Sequence, residues 1–160
     1  MVTGHRSRVT GFVVRFLRYR LGGVGKVNKY EVLFCLNMVR DFKELDIWKK
    51  SFDLVEKVYG AVADSPKDEI YGLSQQLKRA VVSVSSNIAE GCGRRTSRDF
   101  IQFLYMSFGS VREVECQLMI AERLGYIESG ELKLLLVELN KLAGMLMKFI
   151  RYVSALDEGL

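Results

Sequence analysis

The chain has 160 residues, half of them hydrophobic, with one proline, one histidine and three cysteines. That size fits one domain with a sizeable core, and the scarcity of proline favours long helices over a strand-and-turn fold. A single histidine, His5, excludes histidine-based triads, histidine metal clusters and the Glu-x-x-His pairs of di-iron bundles.

The net charge of +5 is unevenly placed. Residues 1–37 carry seven basic side chains (Arg6, Arg8, Arg15, Arg18, Arg20, Lys26, Lys29) against one acid, Glu31, leaving 17 basic against 18 acidic in residues 38–160. The basic character therefore belongs to the N-terminal segment. A nucleic-acid role for the rest of the chain must rest on local clusters. Cys35, Cys92 and Cys116 are widely spaced with no CxxC, which reads as reduced thiols in a cytoplasmic protein.

Residues 1–37 form an N-terminal extension without a sustained helical period. GFVVRFL is interrupted by Arg15 and lacks a cleavage site, so it is no secretory signal. YEVLFCLNMV is about half the roughly 20 residues that a membrane helix needs. The Arg-rich, acid-poor composition also suits a transit peptide. The reading adopted is a native start at Met38 with translated leader upstream, which an intact mass matching all 160 residues would overturn.

Four apolar-periodic segments follow in 38–156, with a fraying tail at 157–160. In the first, from about Asp46 to Ala63, Trp48, Phe52, Val55, Tyr59 and Val62 step by 4, 3, 4, 3 behind Asp46 as cap. Ser65-Pro66 starts the second helix, with serine at the N-cap and proline at the first helical position. Its seam is Ile70, Leu73, Leu77, Val81, Val84 and Ile88, and Gly91-Cys92-Gly93 ends it through a left-handed glycine. Thr96 or Ser97 caps the third helix. Its apolar face is Phe100, Leu104, Phe108 or Ser107, Val111, Val114, Leu118 and Ala121, and Gly125 closes it. Ser129 caps the fourth, lined by Leu132, Leu135, Leu139, Leu142, Leu146, Phe149 and Val153. Helices of this length with short connections predict an all-α, antiparallel up-down-up-down four-helix bundle.

The densest stretch is Gln75 to Arg98, QQLKRAVVSVSSNIAEGCGRRTSR. Arg79, Ser83, Ser86 and Glu90 step by 4, 3, 4 and point away from the seam. With Ala80 and Ser85 they make a surface of small residues that admits another helix closely. Arg79, Ser83, Ser86 and Glu90, with Asn87 beside them, are therefore the expected subunit interface. Lys78, Arg79, Arg94, Arg95 and Arg98 are the expected nucleic-acid contacts, since arginines at a helix start suit phosphate. The competing reading of the arginines is solubility charge or pairing with Glu90 and Asp99. Glu113, Glu115 and Glu122 lack histidine partners and read as a solvated face or intersubunit salt bridges. Tyr71, Phe100, Phe103, Tyr105 and Phe108 are spaced for helix packing and not for base stacking. No catalytic residue, cofactor, metal site, membrane span or small-molecule substrate is expected.

The ordered combination L-x-x-Q-L-x-R-A, S-x-N-I-A-E-G-x-G-R and G-S-x-x-E-x-E, spread over Leu73 to Glu115, resembles the proteins encoded in intervening sequences of bacterial 23S rRNA genes, also called S23 ribosomal proteins. The likeness extends over about Asp41 to Val153. It covers Gln76, Arg79, Ser83, Ser86, Asn87, Ile88, Ala89, Glu90, Gly91 and Arg94. The resemblance implies a homopentamer of four-helix bundles with no catalytic activity. The chain is also similar to the accessory variability protein of diversity-generating retroelements, which engages a reverse transcriptase and nucleic acid. This implies RNA or DNA as a partner, although residues 38–160 are slightly acidic where such relatives are expected to be basic.

Overall fold

The periodic segments fold as four long helices in the computed structural model, which describes residues 41–63 and 72–158. They are α1 (Asp46–Ala61), α2 (Leu73–Cys92), α3 (Ser97–Arg123) and α4 (Ser129–Glu158). No strand occurs among the described residues. Each helix packs on its neighbours in sequence, and α1 closes the ring against α4. This is the expected up-down-up-down bundle. The N-terminal extension, the Met38 start, Ser65-Pro66, Ile70 and Tyr71 lie outside the described residues. Helix α4 continues to Glu158, into the tail expected to fray.

The core follows the seams of α2, α3 and α4. Leu77, Val81, Val84 and Ile88 of α2 are fully buried, as are Leu104, Val111, Val114 and Leu118 of α3 and Leu146 of α4. At the alternative position in α3, Ser107 is the buried residue and Phe108 is half-buried. The small hydroxyl side chain fits where α3 lies close to α2, and it donates to the Val84 carbonyl at 2.8 Å. In α4, Ile150 enters the core ahead of the half-buried Phe149.

Helix α1 corrects the sequence reading. Its buried residues are Ile47, Ser51, Leu54, Val58 and Ala61, with Val62 just beyond its end. Of the expected stripe only Val62 is buried, whereas Phe52 is 58 % and Tyr59 42 % exposed. Two stripes of the same 4-3-4 spacing run along this helix, about 100° apart. The richer one runs along the edge of the core, with Trp48 and Val55 half-buried against it and Phe52 and Tyr59 exposed. Ser51 tolerates the core because its hydroxyl donates to the Trp48 carbonyl at 2.7 Å.

Helix ends also differ from expectation in detail. Leu45 and not Asp46 occupies the α1 N-cap, and Asp46 sits in the first turn, where its charge favours the helix dipole. Asp41 caps the preceding 3-10 turn, Phe42–Glu44. Thr96 caps α3 as expected: its hydroxyl oxygen accepts from the Asp99 amide at 3.1 Å and donates to the Asp99 carboxylate at 2.7 Å. Ser129 begins α4 but donates to Glu122 across the turn.

Glycine takes the left-handed conformation at one of the two expected ends. Gly125 has φ of 78°, and the amides of Gly125 and Tyr126 return to the carbonyls of Glu122 and Ala121 in a Schellman arrangement. Gly93 caps α2 with φ of −80°, so no left-handed turn forms there. The glycine needed at that end is Gly91, and the need is steric.

Candidate functional site

The expected site residues lie on α2, the turn after it and the first turn of α3, and the geometry separates them into three groups.

The first group joins α2 to α3. Asn87 Nδ2 donates to Ser83 Oγ at 3.0 Å, and Ser83 Oγ lies 3.0 Å from Ser110 Oγ. Ser110 Oγ in turn donates to the Met106 carbonyl at 3.2 Å. With Ser110 donating onward, Ser83 donates to Ser110, and the four groups form one relay. Ser83 and Asn87 are thus turned toward α3. The close helix approach that small residues permit is made inside the chain, where Ala80 and Gly91 are also buried. Arg79, Ser86 and Glu90 remain exposed on the outer surface.

The second group is the arginine turn. Arg94 forms an ion pair with Glu90, one helical turn back, and its guanidinium lies 4.3 Å from the centroid of the Phe103 ring. A carboxylate and an aromatic face hold this arginine down. Arg95 and Arg98 are exposed and have no ion-pair partner among the described residues.

Lys78 and Arg79 form the third group. Arg94 is 16 residues further along the chain from Lys78, which is about 24 Å at 1.5 Å per residue. Lys78 sits with its ammonium 5.3 Å from the Tyr59 ring centroid. The five basic residues therefore form two separate sites: Arg94, Arg95 and Arg98 at one end of the bundle, Lys78 and Arg79 toward the other.

The acidic residues of α3 are engaged locally. Glu113 accepts from Gln117 Nε2 at 3.1 Å, Glu115 pairs with Arg112 at 2.5 Å, and Glu122 accepts from Ser129. No group of three or more metal-ligating side chains meets among the described residues. No helix among them is long and apolar enough to cross a membrane.

Cys92 is buried, and burial first, then the nearby Asp41 carboxylate, pushes its thiol up to about 12. It is unreactive as a nucleophile at neutral pH. Cys116 is exposed on α3.

What the sequence reading missed is the apolar outer surface. Tyr105, Met106, Met119 and Ile120 on α3 and Leu124 at its C-cap are each about half exposed. Cys116, Met119, Ile120, Leu124 and Leu132 line an open groove of about 650 Å³ together with Arg112, Glu115, Glu122 and Arg123. The signal was present: these residues fall off the 3-4 seam of α3.

The family model described as "23S rRNA-intervening sequence protein" matches residues 43–148. A solved structure of a protein with unknown function from the S23 ribosomal protein family of Bacteroides thetaiotaomicron VPI-5482 is similar at 20 % identity and a TM-score of 0.59. The alignment covers 65 % of this chain and 97 % of that one. At that identity the likeness shows the fold. No curated protein matches the chain.

Proposed function

The chain belongs to the 23S rRNA-intervening sequence protein family, and from that premise we propose that it is a non-enzymatic, self-assembling cytoplasmic protein, a homopentamer with a structural or nucleic-acid-associated role. One observation carries the self-assembly. Helix α3 presents Tyr105 and Met106 outward in its first half and Met119 and Ile120 near its end, with Leu124 at its C-cap, each about half exposed. Two exposed apolar patches on one outer helix mark a protein contact. Size-exclusion chromatography with light scattering tests it. A mass five times that of the protomer supports the reading, and a monomer at micromolar concentration overturns it.

A second reading is supported by Arg95 and Arg98, which have no ion-pair partner among the described residues. They suit an accessory factor that holds RNA or DNA beside a partner enzyme such as a reverse transcriptase. Two arginines bind phosphate weakly, and repetition around a ring would multiply the effect. Salt-dependent binding to structured RNA that is lost in the Arg95→Ala/Arg98→Ala variant supports this reading. Binding unchanged in that variant removes the site.

A further inference from the structure

Two apolar features stand open on neighbouring faces of the bundle. One is the groove of about 650 Å³ at the end of α3, lined by Cys116, Met119, Ile120 and Leu132 among others. The other is a projection from α4. Leu134 is 72 % exposed, the most exposed large apolar side chain among the described residues, and Val137 beside it is 52 % exposed. Leu134 lies two residues beyond Leu132, about 200° round the helix. Leu132 turns toward the α3 groove, so Leu134 turns away from it. One helical turn further on, Glu138 pairs with Lys57 at 3.8 Å, which sets this side of α4 against α1.

The groove and the projection are level along the bundle axis. Ser129 donates to Glu122 across the turn, which fixes the relative height of α3 and α4. Counting back along α3 from Glu122 and forward along α4 from Ser129, Leu134 is level with about residue 117 and Val137 with about residue 114. Both levels fall within the stretch from Arg112 to Leu124 that lines the groove.

We propose that Leu134 and Val137 of one copy of the chain seat in this groove of the next, and that repetition of the contact about an axis along the bundle closes the ring. This contact rests on the self-assembly reading and names what covers the α3 groove. A ring of more than two members needs two different patches that fit each other, whereas a two-fold dimer needs one patch that fits itself. Rotation about an axis along the bundle preserves height, so the two patches must be level, as they are. Five copies in a ring meet their two neighbours at roughly 108° to each other. The α3–α4 and α4–α1 faces of a four-helix bundle stand at roughly 90°, close to that angle. Helix α4 then faces the ring axis, and α2 faces the outer wall with Arg79, Ser86 and Glu90 exposed.

Charge completes the match. Glu122 and Arg123 stand at the groove, and Glu131 and Lys133 stand beside Leu134 in the chain. All four lack an ion-pair partner among the described residues. Lys133 is level with about residue 118 of the neighbouring α3, roughly 6 Å along the axis from Glu122. Glu131 is level with about residue 120, roughly 5 Å from Arg123. Opposite charges thus come within side-chain reach around an apolar centre, the anatomy of a specific interface.

Cys116 supplies a direct test, because it is exposed in the groove one residue from the level of Leu134. The full-length Leu134→Cys variant, treated with a short bismaleimide, should give a ladder of linked chains up to five on a denaturing gel. The ladder should be absent from the parent chain and from Leu134→Cys/Cys116→Ser. Ser86→Cys, on the outer wall, should give none. A second test uses Leu134→Lys and Met119→Lys, each of which spoils one patch at an exposed position and should leave the helical circular dichroism unchanged. Alone, each should fall from the ring mass to one protomer in light scattering. Mixed at high concentration, they regenerate one intact contact and should give dimers. No ladder from Leu134→Cys in a chain that still assembles overturns this contact and leaves self-assembly standing. A ladder from Ser86→Cys in its place, rings that persist in either lysine variant, or a concentrated mixture without dimers does the same. A parent chain that is monomeric at micromolar concentration overturns both.

Discussion

Gly91 of α2 and Phe103 of α3 meet so closely that a Cβ on Gly91 would lie 2.8 Å from the Cβ of Phe103 and 2.8 Å from the Phe100 ring. The Phe103 Cβ is anchored to the α3 backbone and cannot swing aside. Gly91→Ala therefore forces the helices apart at the point where the chain turns between them. The expected cost is about 1–3 kcal/mol from overpacking, set against at most about 1 kcal/mol gained in helix propensity. Urea denaturation should show a lower midpoint with an unchanged slope.

Gly144 supplies the opposite case. It lies inside α4, exposed, with nothing within 4 Å of an added Cβ. Gly144→Ala should stabilise the protein by about 0.5–1 kcal/mol through helix propensity alone. The same denaturation experiment reads both variants, and a destabilised Gly144→Ala would place an unseen neighbour against α4.

The seams of α2, α3 and α4 were legible because each helix has one apolar row that clearly outweighs any other. Helix α1 was not legible, because Ile47-Ser51-Leu54-Val58 and Trp48-Phe52-Val55-Tyr59 have the same spacing. Aromatic content favoured the second row, whereas the structure buries the first, where Ser51 is small enough to pack closely and satisfies its hydroxyl on its own helix. In the candidate site, the small residues of α2 were read as a contact with a second subunit, and within the chain some of them pack against α3. Sequence spacing does not say which helix makes it, and Ser83, Asn87 and Gly91 turn out to serve α3. The arginines read as one cluster because sequence proximity hides the 24 Å or so of helix between Lys78 and Arg94.

Loss of the Thr96 cap should be felt at the same turn. Its hydroxyl satisfies the Asp99 amide and binds the Asp99 carboxylate. Thr96→Ala leaves that amide to water and should cost about 1 kcal/mol, whereas Thr96→Ser should cost little. Thermal melts followed by circular dichroism distinguish the two.

Cys92 makes a pH-dependent prediction. Burial raises its thiol from the ordinary 9.0 to about 12, so the folded state holds the proton longer than the unfolded chain does. Its contribution is complete below pH 9. Between about pH 9 and 12 the unfolded state ionises first, and stability falls by up to about 1.4 kcal/mol per pH unit. Cys92→Ala should flatten that part of the stability profile relative to the parent chain. At pH 8, peptide mapping after iodoacetamide treatment should find Cys116 alkylated and Cys92 protected until denaturant is added.

Arg94, Arg95 and Arg98 should separate into structural and binding roles. Arg94 is engaged twice, by the Glu90 carboxylate and the Phe103 ring, and both partners are on the elements it joins. Arg94→Ala should therefore lower stability by about 0.5–1 kcal/mol, a range set by an exposed i,i+4 pair and an exposed cation–π contact. Arg95→Ala and Arg98→Ala lose no ion pair among the described residues and should leave the melting temperature unchanged. If the turn binds phosphate, the order reverses for affinity. The free guanidiniums of Arg95 and Arg98 carry the interaction, and removing both should lower the slope of log K against log[salt] by up to about 2 per protomer engaged. Arg94→Ala should change that slope less, because its charge is already neutralised by Glu90. A salt slope that falls equally for all three arginines would show that the Glu90 pair opens when nucleic acid binds.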